Sequence, residues 1–270
     1  MHFRTALTIA LLLLASSCLE ARERHTVAVI GTGSMGSALG VGLAKAGHTV
    51  VYGSREPSRA PVAALVRRTG HGARAAGQRE AAQAGDIVVL AVPWAAVRQV
   101  LENLGDLDGK ILVDITTAER QGADGYPELA VETSTSELIR GWVPGARVVK
   151  TPFSAAAVVE DPLKFGEPTV TWIAADDREA KETVARLAID LGFFPIDAGP
   201  LRMARSIDHL GLLFLTPLMQ GREVSVGVTL PRVMADFSCL DTQGWFEPVA
   251  DAAQLASFPN LDAVKPACPE

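Results

Sequence analysis

The chain has 270 residues, 48% of them hydrophobic, and a formal net charge of -6. That length supports one large domain or two modest ones with a real core. The slight acidity and the lack of a basic stripe argue against nucleic acid as a partner, and no internal repeat or low-complexity tract stands out.

The first residues read as a leader. His2 and Arg4 precede the apolar run from Ala6 to Ala15, and Ser16, Ser17 and Cys18 follow. This is the order of a secretory signal peptide, and the run is short for a membrane span. Residues 1–24 are therefore set aside, and the expected destination is export, as a periplasmic protein or a membrane-anchored lipoprotein. Leu14 to Cys18 loosely resembles a bacterial lipoprotein box, with Ala15 where a Leu is usual. Lipidation at Cys18 would make it a lipid anchor. The competing reading is a mistaken start and a cytoplasmic protein. Against it, the next methionine is Met35, and a start there would delete the first strand.

Val27 to Gly36 reads V-A-V-I-G-T-G-S-M-G, a buried strand running into a glycine-rich turn and a helix. This is a fingerprint for a dinucleotide pyrophosphate. Gly31 permits the tight turn, Gly33 leaves room for the pyrophosphate, and Gly36 lets the helix pack closely on the strand. The helix N-terminus offers unpaired N–H groups and partial positive charge. Met35, Leu39 and Leu43 recur at helical spacing, Gly47 closes the helix, and Thr49 to Tyr52 starts a second strand. Gly53-Ser54-Arg55 follows it. No carboxylate stands there to grip a ribose hydroxyl; a serine and an arginine do, which favours a 2′-phosphate and hence NADP over NAD.

Pro57 to Gly70 is helical, with Val62, Leu65 and Val66 on one face, and His71 to Ala75 is a short third strand. Gln78 to Ala84 is helical. Asp86 to Val92 is a nearly continuous apolar run, as in a strand buried on both faces. Pro93 and Trp94 open a helix bearing Val97, Val100, Leu101 and Leu104. Lys110 to Ile115 is a strand, Ser136 to Trp142 a helix and Arg147 to Lys150 a strand. The alternation predicts an α/β fold, a doubly wound parallel (Rossmann) sheet over residues 25–150. Ligands in such sheets bind beyond the C-terminal strand ends. That rule selects Gly31 to Gly36, Gly53 to Arg55, Val92 to Trp94, Thr116-Thr117 and Thr151 to Ala157.

Residues 151–232 read as a small C-terminal α/β region expected to pack across the cofactor crevice. Val170 to Ala174 is a strand, Asp177 to Leu191 a helix and Phe193 to Ile196 a strand leading into Asp197-Ala198-Gly199-Pro200-Leu201. A long helix from about Leu201 to Met219 is expected to be interrupted near Pro217. Residues 233–270 carry several prolines and little periodicity and are expected to be irregular. Cys239 and Cys268 lie in that tail; in an oxidising compartment they could pair, and two separate thiols are the equal alternative.

The glycine turn with Ala46-Gly47-His48, Gly53-Ser54-Arg55, Val92-Pro93-Trp94 and Asp197-Ala198-Gly199-Pro200-Leu201 resembles the NADPH-dependent deazaflavin (coenzyme F-420) reductase family over about residues 26 to 220. The resemblance implies a Rossmann domain that binds NADP, a C-terminal region covering a second site, and a homodimer. Residue by residue, it implies Thr32, Gly33, Ser34 and Met35 at the pyrophosphate. Ser54, Arg55 and Arg59 would hold the 2′-phosphate. Pro93, Trp94 and Arg98 would lie along the nicotinamide half, and Ala157 near the ring. The pattern is less well kept from Thr151 to Ala157, where a second substrate would sit. Related mammalian ferric-reductase domains pass electrons from NADPH to a flavin on a similar module, so acceptors vary on this fold.

Hydride transfer from NADPH to a small-molecule redox acceptor, a deazaflavin or flavin, needs two stacked rings more than an acid or base. No catalytic dyad is evident, and no catalytic residue is assigned. His209 is a candidate proton donor or a surface residue. Lys150 would contact a phosphate or make an edge salt bridge. Asp114 reads as a turn or cap residue, and His48 as local packing. No metal-ligand spacing occurs. The alternatives are an exported dinucleotide-binding module without turnover and a dehydrogenase of a small metabolite. The latter usually carries a long all-helical second domain, for which too few residues remain. Export leaves its own difficulty, because NADP is scarce outside the cytoplasm.

Overall fold

The computed structural model describes residues 23–161, 168–219 and 228. The leader, Cys18, Cys239, Cys268 and the tail from 233 onward lie outside them. The elements in chain order are β1 (Thr26–Ile30), α1 (Ser34–Lys45), β2 (Thr49–Ser54), α2 (Ala60–Thr69), β3 (Arg74–Gly77), α3 (Gln78–Ala84), β4 (Ile87–Leu90), α4 (Trp94–Leu104) and β5 (Ile111–Asp114). A hairpin of β6 (Glu119–Gln121) and β7 (Pro127–Leu129) precedes α5 (Thr135–Trp142), β8 (Arg147–Lys150) and α6 (Ala156–Glu160). Then come β9 (Val170–Ala175), α7 (Arg178–Asp190), β10 (Phe194–Gly199), a 3-10 turn (Leu201–Met203) and α8 (Ala204–Met219).

Eight strands form one sheet in the order β10-β9-β8-β5-β4-β1-β2-β3. Its β3-β2-β1-β4-β5-β8 portion is parallel throughout and doubly wound. Alternation along β1 builds both cores. Val27 and Val29 face α1, α2, α6 and α7, while Ala28 and Ile30 face α3, α4 and α5. The cleft lies where the chain reverses winding direction, beyond the C-terminal ends of β1 and β4.

The strands of the 151–232 region extend this same sheet. β9 joins β8 antiparallel through only two residue pairs, Val149 with Ala175 and Lys150 with Ala174. That register makes β9 begin beyond the end of β8, and β10 runs parallel to β9. The two strands therefore project past the C-terminal ends of the parallel ones. The parallel sheet expected over residues 25–150 is observed, and β9 runs antiparallel to it because the chain leaves β8 at the cleft and re-enters the sheet from that same side.

Four further differences have local causes. The third strand starts at Arg74, not His71, because Gly70, His71 and Gly72 all take positive φ and cannot pair. The β6–β7 hairpin went unread because it is solvent-facing and carries no apolar alternation; Arg120 and Glu128 pair across it at 2.7 Å. The short helix α6 was likewise unread, although Val158 and Val159 are buried in the core. Helix α8 runs through Pro217 to Met219, since a proline near a helix end withdraws only one donor.

Candidate functional site

The three fingerprint glycines have different surroundings. Gly31 has φ +118°, and a Cβ there would lie 2.1 Å from the Ala91 carbonyl oxygen. A Cβ on Gly36 would lie 2.1 Å from the Gly31 carbonyl oxygen, so helix and turn touch through backbone. A Cβ on Gly33 would meet nothing within 4 Å. Gly33 thus borders open space at the start of α1, which has no side-chain cap. The first-turn amides have no intrahelical acceptor and face that space. This cradle fits a pyrophosphate.

Two cavities of about 530 Å³ each meet at Gly33 and at Ala91 to Pro93. The first runs over the end of β2, past Ser54, Arg55, Arg59 and Gln78. Ser54 is nearly buried, and its Oγ accepts from the Glu56 amide at 3.2 Å. Arg59 lies 4.0 Å from Glu56. The Arg55 guanidinium is exposed and makes no hydrogen bond or ion pair among the described residues. A free guanidinium beside a small hydroxyl fits a phosphate monoester. The second cavity is largely apolar. Met35, Trp94, Ile115, Ala155, Phe214 and Leu215 line it, with Ser34, Thr116, Thr117 and Glu119 among its polar groups.

The expected site residues divide accordingly. Gly31, Thr32, Gly33, Ser54, Arg55, Arg59 and Pro93 border the first cavity; Gly33, Ser34, Met35, Pro93 and Trp94 border the second. Gly36 lies beneath the turn as a packing residue. Two placements are corrected. Arg98 borders neither cavity: it pairs with Glu102 at 3.5 Å and lies 5.5 Å over the Trp142 ring, which also stacks on Trp94. The cleft face of α4 carries Pro93, Ala96, Gln99, Val100 and Asn103, and Arg98 falls off that helical phase. Ala157 also misses the second cavity, which Ser154, Ala155 and Ala156 line instead; as α6 turns, Ala157 rotates away.

Under the second cavity lies a buried ionic cluster. Lys150, Asp114 and Asp208 are each at most 1% exposed. Lys150 Nζ lies 2.5 Å from Asp208 Oδ1 and 3.5 Å from Asp114 Oδ2, and it donates to Thr135 Oγ1 at 2.9 Å and to the Thr116 carbonyl. Asp114 accepts from the hydroxyls of Thr116 (2.7 Å), Thr135 (2.7 Å) and Ser136 (2.6 Å). Asp208 accepts from the Thr135 amide at 2.9 Å. Burial alone would raise the Asp114 pKa, but Lys150 and the hydroxyls outweigh it and hold the pKa below the ordinary value. Burial raises that of Asp208; Lys150 only partly offsets this, and Asp114 adds to it.

Lys150 therefore makes the salt bridge rather than a phosphate contact, and Asp114 caps the Thr116 amide at 2.8 Å while serving the cluster. His209 is exposed, with Nδ1 2.7 Å from the Arg205 carbonyl oxygen, and borders neither cavity. His48 is buried at the opposite end of the sheet, 3.0 Å from Asp190. Asp208 and Thr135 went unread as site residues. The available signal was an aspartate on the Ala204, Ile207, Gly211 face of an apolar helix, a position that requires a buried partner.

A doubly wound sheet with a phosphate cradle, an arginine at the end of β2 and an apolar chamber beyond it defines a dinucleotide-binding α/β protein. Residues 26–118 match the family model described as NADP oxidoreductase, coenzyme F420-dependent. The F420-dependent NADP reductase of Methanothermobacter thermautotrophicus is 31% identical over 225 residues, covering 77% of this chain and 95% of that protein. The metalloreductase STEAP3 of Rattus norvegicus is 31% identical over 196 residues, 72% of this chain; the chain spans only 38% of that longer relative. A crystal structure from Arthrobacter sp. FB24, described as an F420-dependent NADP reductase, superposes with a TM-score of 0.66 at 29% identity, covering 73% of this chain and 96% of that one. The chain belongs to the coenzyme F420-dependent NADP oxidoreductase family.

Proposed function

We infer that the protein transfers a hydride from NADPH to a deazaflavin or flavin-like acceptor bound in the second cavity. One observation carries the reading: the phosphate-fitting cavity and the apolar chamber meet at Gly33 and Ala91 to Pro93. A dinucleotide held by its phosphates in the first extends its nicotinamide into the second. Ser34 and Met35 would hold the pyrophosphate with Thr32 and Gly33, and Ser54, Arg55 and Arg59 the 2′-phosphate. Met35, Trp94, Phe214 and Leu215 offer apolar surface for a second planar ring. When bound, the nicotinamide supplies the hydride; the chain aligns the two rings and excludes water.

The test is a fluorescence titration with NADPH, followed by a screen of acceptors monitored by NADPH absorbance. Saturable binding with oxidation by a deazaflavin or flavin supports the reading. Tight binding without oxidation by any acceptor would leave a dinucleotide-binding module instead.

A further inference from the structure

We propose that Asp208, Lys150, Thr135 and Asp114 form an internal proton store that supplies the acceptor cavity through Thr116. The inference rests on reading that cavity as the acceptor site. An unbroken chain of contacts carries it. Asp208 Oδ1 lies 2.5 Å from Lys150 Nζ, Lys150 Nζ 2.9 Å from Thr135 Oγ1, Thr135 Oγ1 2.7 Å from Asp114 Oδ2, and Thr116 Oγ1 2.7 Å from Asp114 Oδ1. Thr116 borders the cavity. Every other member is buried away from solvent.

Charge counting gives the store its content. Two carboxylates share one ammonium, so ionising all three leaves a net negative charge in a site with almost no water contact, which is costly. Holding one proton makes the cluster neutral. Asp208 is the holder: three hydroxyls at 2.6–2.7 Å and the Thr116 amide stabilise Asp114 as a carboxylate, whereas Asp208 has the Thr135 amide, Lys150 and only a long 3.3 Å contact from the Thr135 hydroxyl. Among the described residues, the other charged groups on the elements around Asp208 are engaged or turned outward, and Arg140 of α5 pairs with Asp176. Arg205 of α8 pairs with Glu137 of α5 at 2.8 Å, and Glu128 of β7 pairs with Arg120. Arg202 of the 3-10 turn and His209 of α8 are exposed.

An acceptor that takes a hydride at one ring atom needs a proton at another. Thr116 Oγ–H breaks as the acceptor's new N–H or O–H bond forms. Lys150 passes a proton through Thr135 to Asp114 Oδ2, rotation of that carboxyl carries it to Thr116 Oγ, and Lys150 recovers its own from the Asp208 carboxyl. The two electrons come with the hydride, so the nicotinamide is oxidised and the acceptor reduced. The net change inside the protein is one proton lost from Asp208, which water replaces after product release.

Infrared spectroscopy of the full chain tests the store without turnover. Wild type labelled at aspartate should show a protonated-carboxyl stretch that persists above the ordinary carboxylate range, and Asp208→Asn should lack it. With NADPH and a deazaflavin, Asp208→Asn and Thr116→Val should each lower kcat about 100-fold, leave NADPH affinity within about twofold, and change the pH profile of kcat. No such band in wild type, or an Asp208→Asn protein that loses only thermal stability while keeping the wild-type pH profile, overturns the proposal in favour of a purely structural anchor. If Asp208→Asn does not fold, the wild-type band and Thr116→Val decide. If no acceptor turns over, the functional reading fails on its own arm, and the infrared band alone decides whether a proton is stored.

Discussion

Gly33 and Gly36 are three residues apart and fail differently when a methyl group is added. At Gly36 the new Cβ collides with backbone, and Gly36→Ala should cost about 1–3 kcal/mol in a denaturant melt. At Gly33 the space is open, so Gly33→Ala should melt near wild type yet bind NADPH poorly in a fluorescence titration, because the methyl occupies the phosphate's place. At Arg55, truncation to alanine removes charge-assisted hydrogen bonds. NADP binding should weaken by about 2 kcal/mol, near thirtyfold, while NAD binding barely changes. Equal losses for the two would rule out contact with the 2′-phosphate.

At the same scale, residues fixed by backbone geometry or by following a strand end were legible in position. Gly31, Gly33, Gly36, Ser54 and Trp94 stand where spacing put them. Residues that depend on rotation about a helix were harder to place. Arg98 and Ala157 lie within a residue or so of the cleft face and still miss it, because each step along a helix turns the side chain by about 100°. Asp208 was illegible as a partner of Lys150 because the two are far apart in sequence and meet only where α8 passes the C-terminal end of β8.

Among the elements, α5 and α8 are tied to the sheet by titrating groups, and their signs are opposite. Asp114 has a lowered folded pKa, so its contribution to stability is present above the unfolded value and is lost as pH falls through the folded one. Asp208 has a raised folded pKa. Its contribution is present below the unfolded value and is lost as pH rises through the folded one. Urea melts across pH should therefore show stability falling on both flanks, and Asp208→Asn should remove the slope on the alkaline side of the aspartate range. Capping is the separate lever at α5. Ser134 accepts from the Glu137 amide at 3.2 Å and donates to its carboxylate at 2.8 Å, so Ser134→Ala should cost about 1 kcal/mol in the same melts. The helices of the parallel half were readable from apolar spacing. The β6–β7 hairpin was not, since its strands are three residues each and carry no apolar alternation.

For the molecule as a whole, the net charge of -6 opposes an anionic dinucleotide at long range. Binding then depends on local cations at the β2 end and should weaken as salt screens them. An NADPH dissociation constant measured from low to moderate ionic strength should rise more steeply than that for NADH. Matching salt slopes would place the selectivity elsewhere.

The junction of β8 with β9 divides the labour of this sheet. Only the pairs Val149–Ala175 and Lys150–Ala174 join the parallel half to the projecting strands, and Lys150 is also the residue that holds Asp208 of α8. The hydroxyls of Thr151 and Thr171, 2.8 Å apart, and Arg147 with Glu179 at 3.2 Å add side-chain ties across the same junction. Ser154, Ala155, Ala156, Gly211, Phe214 and Leu215 of the second cavity all follow β8, so that side of the cavity can change in sequence while the turn from Gly31 to Gly36 stays as it is.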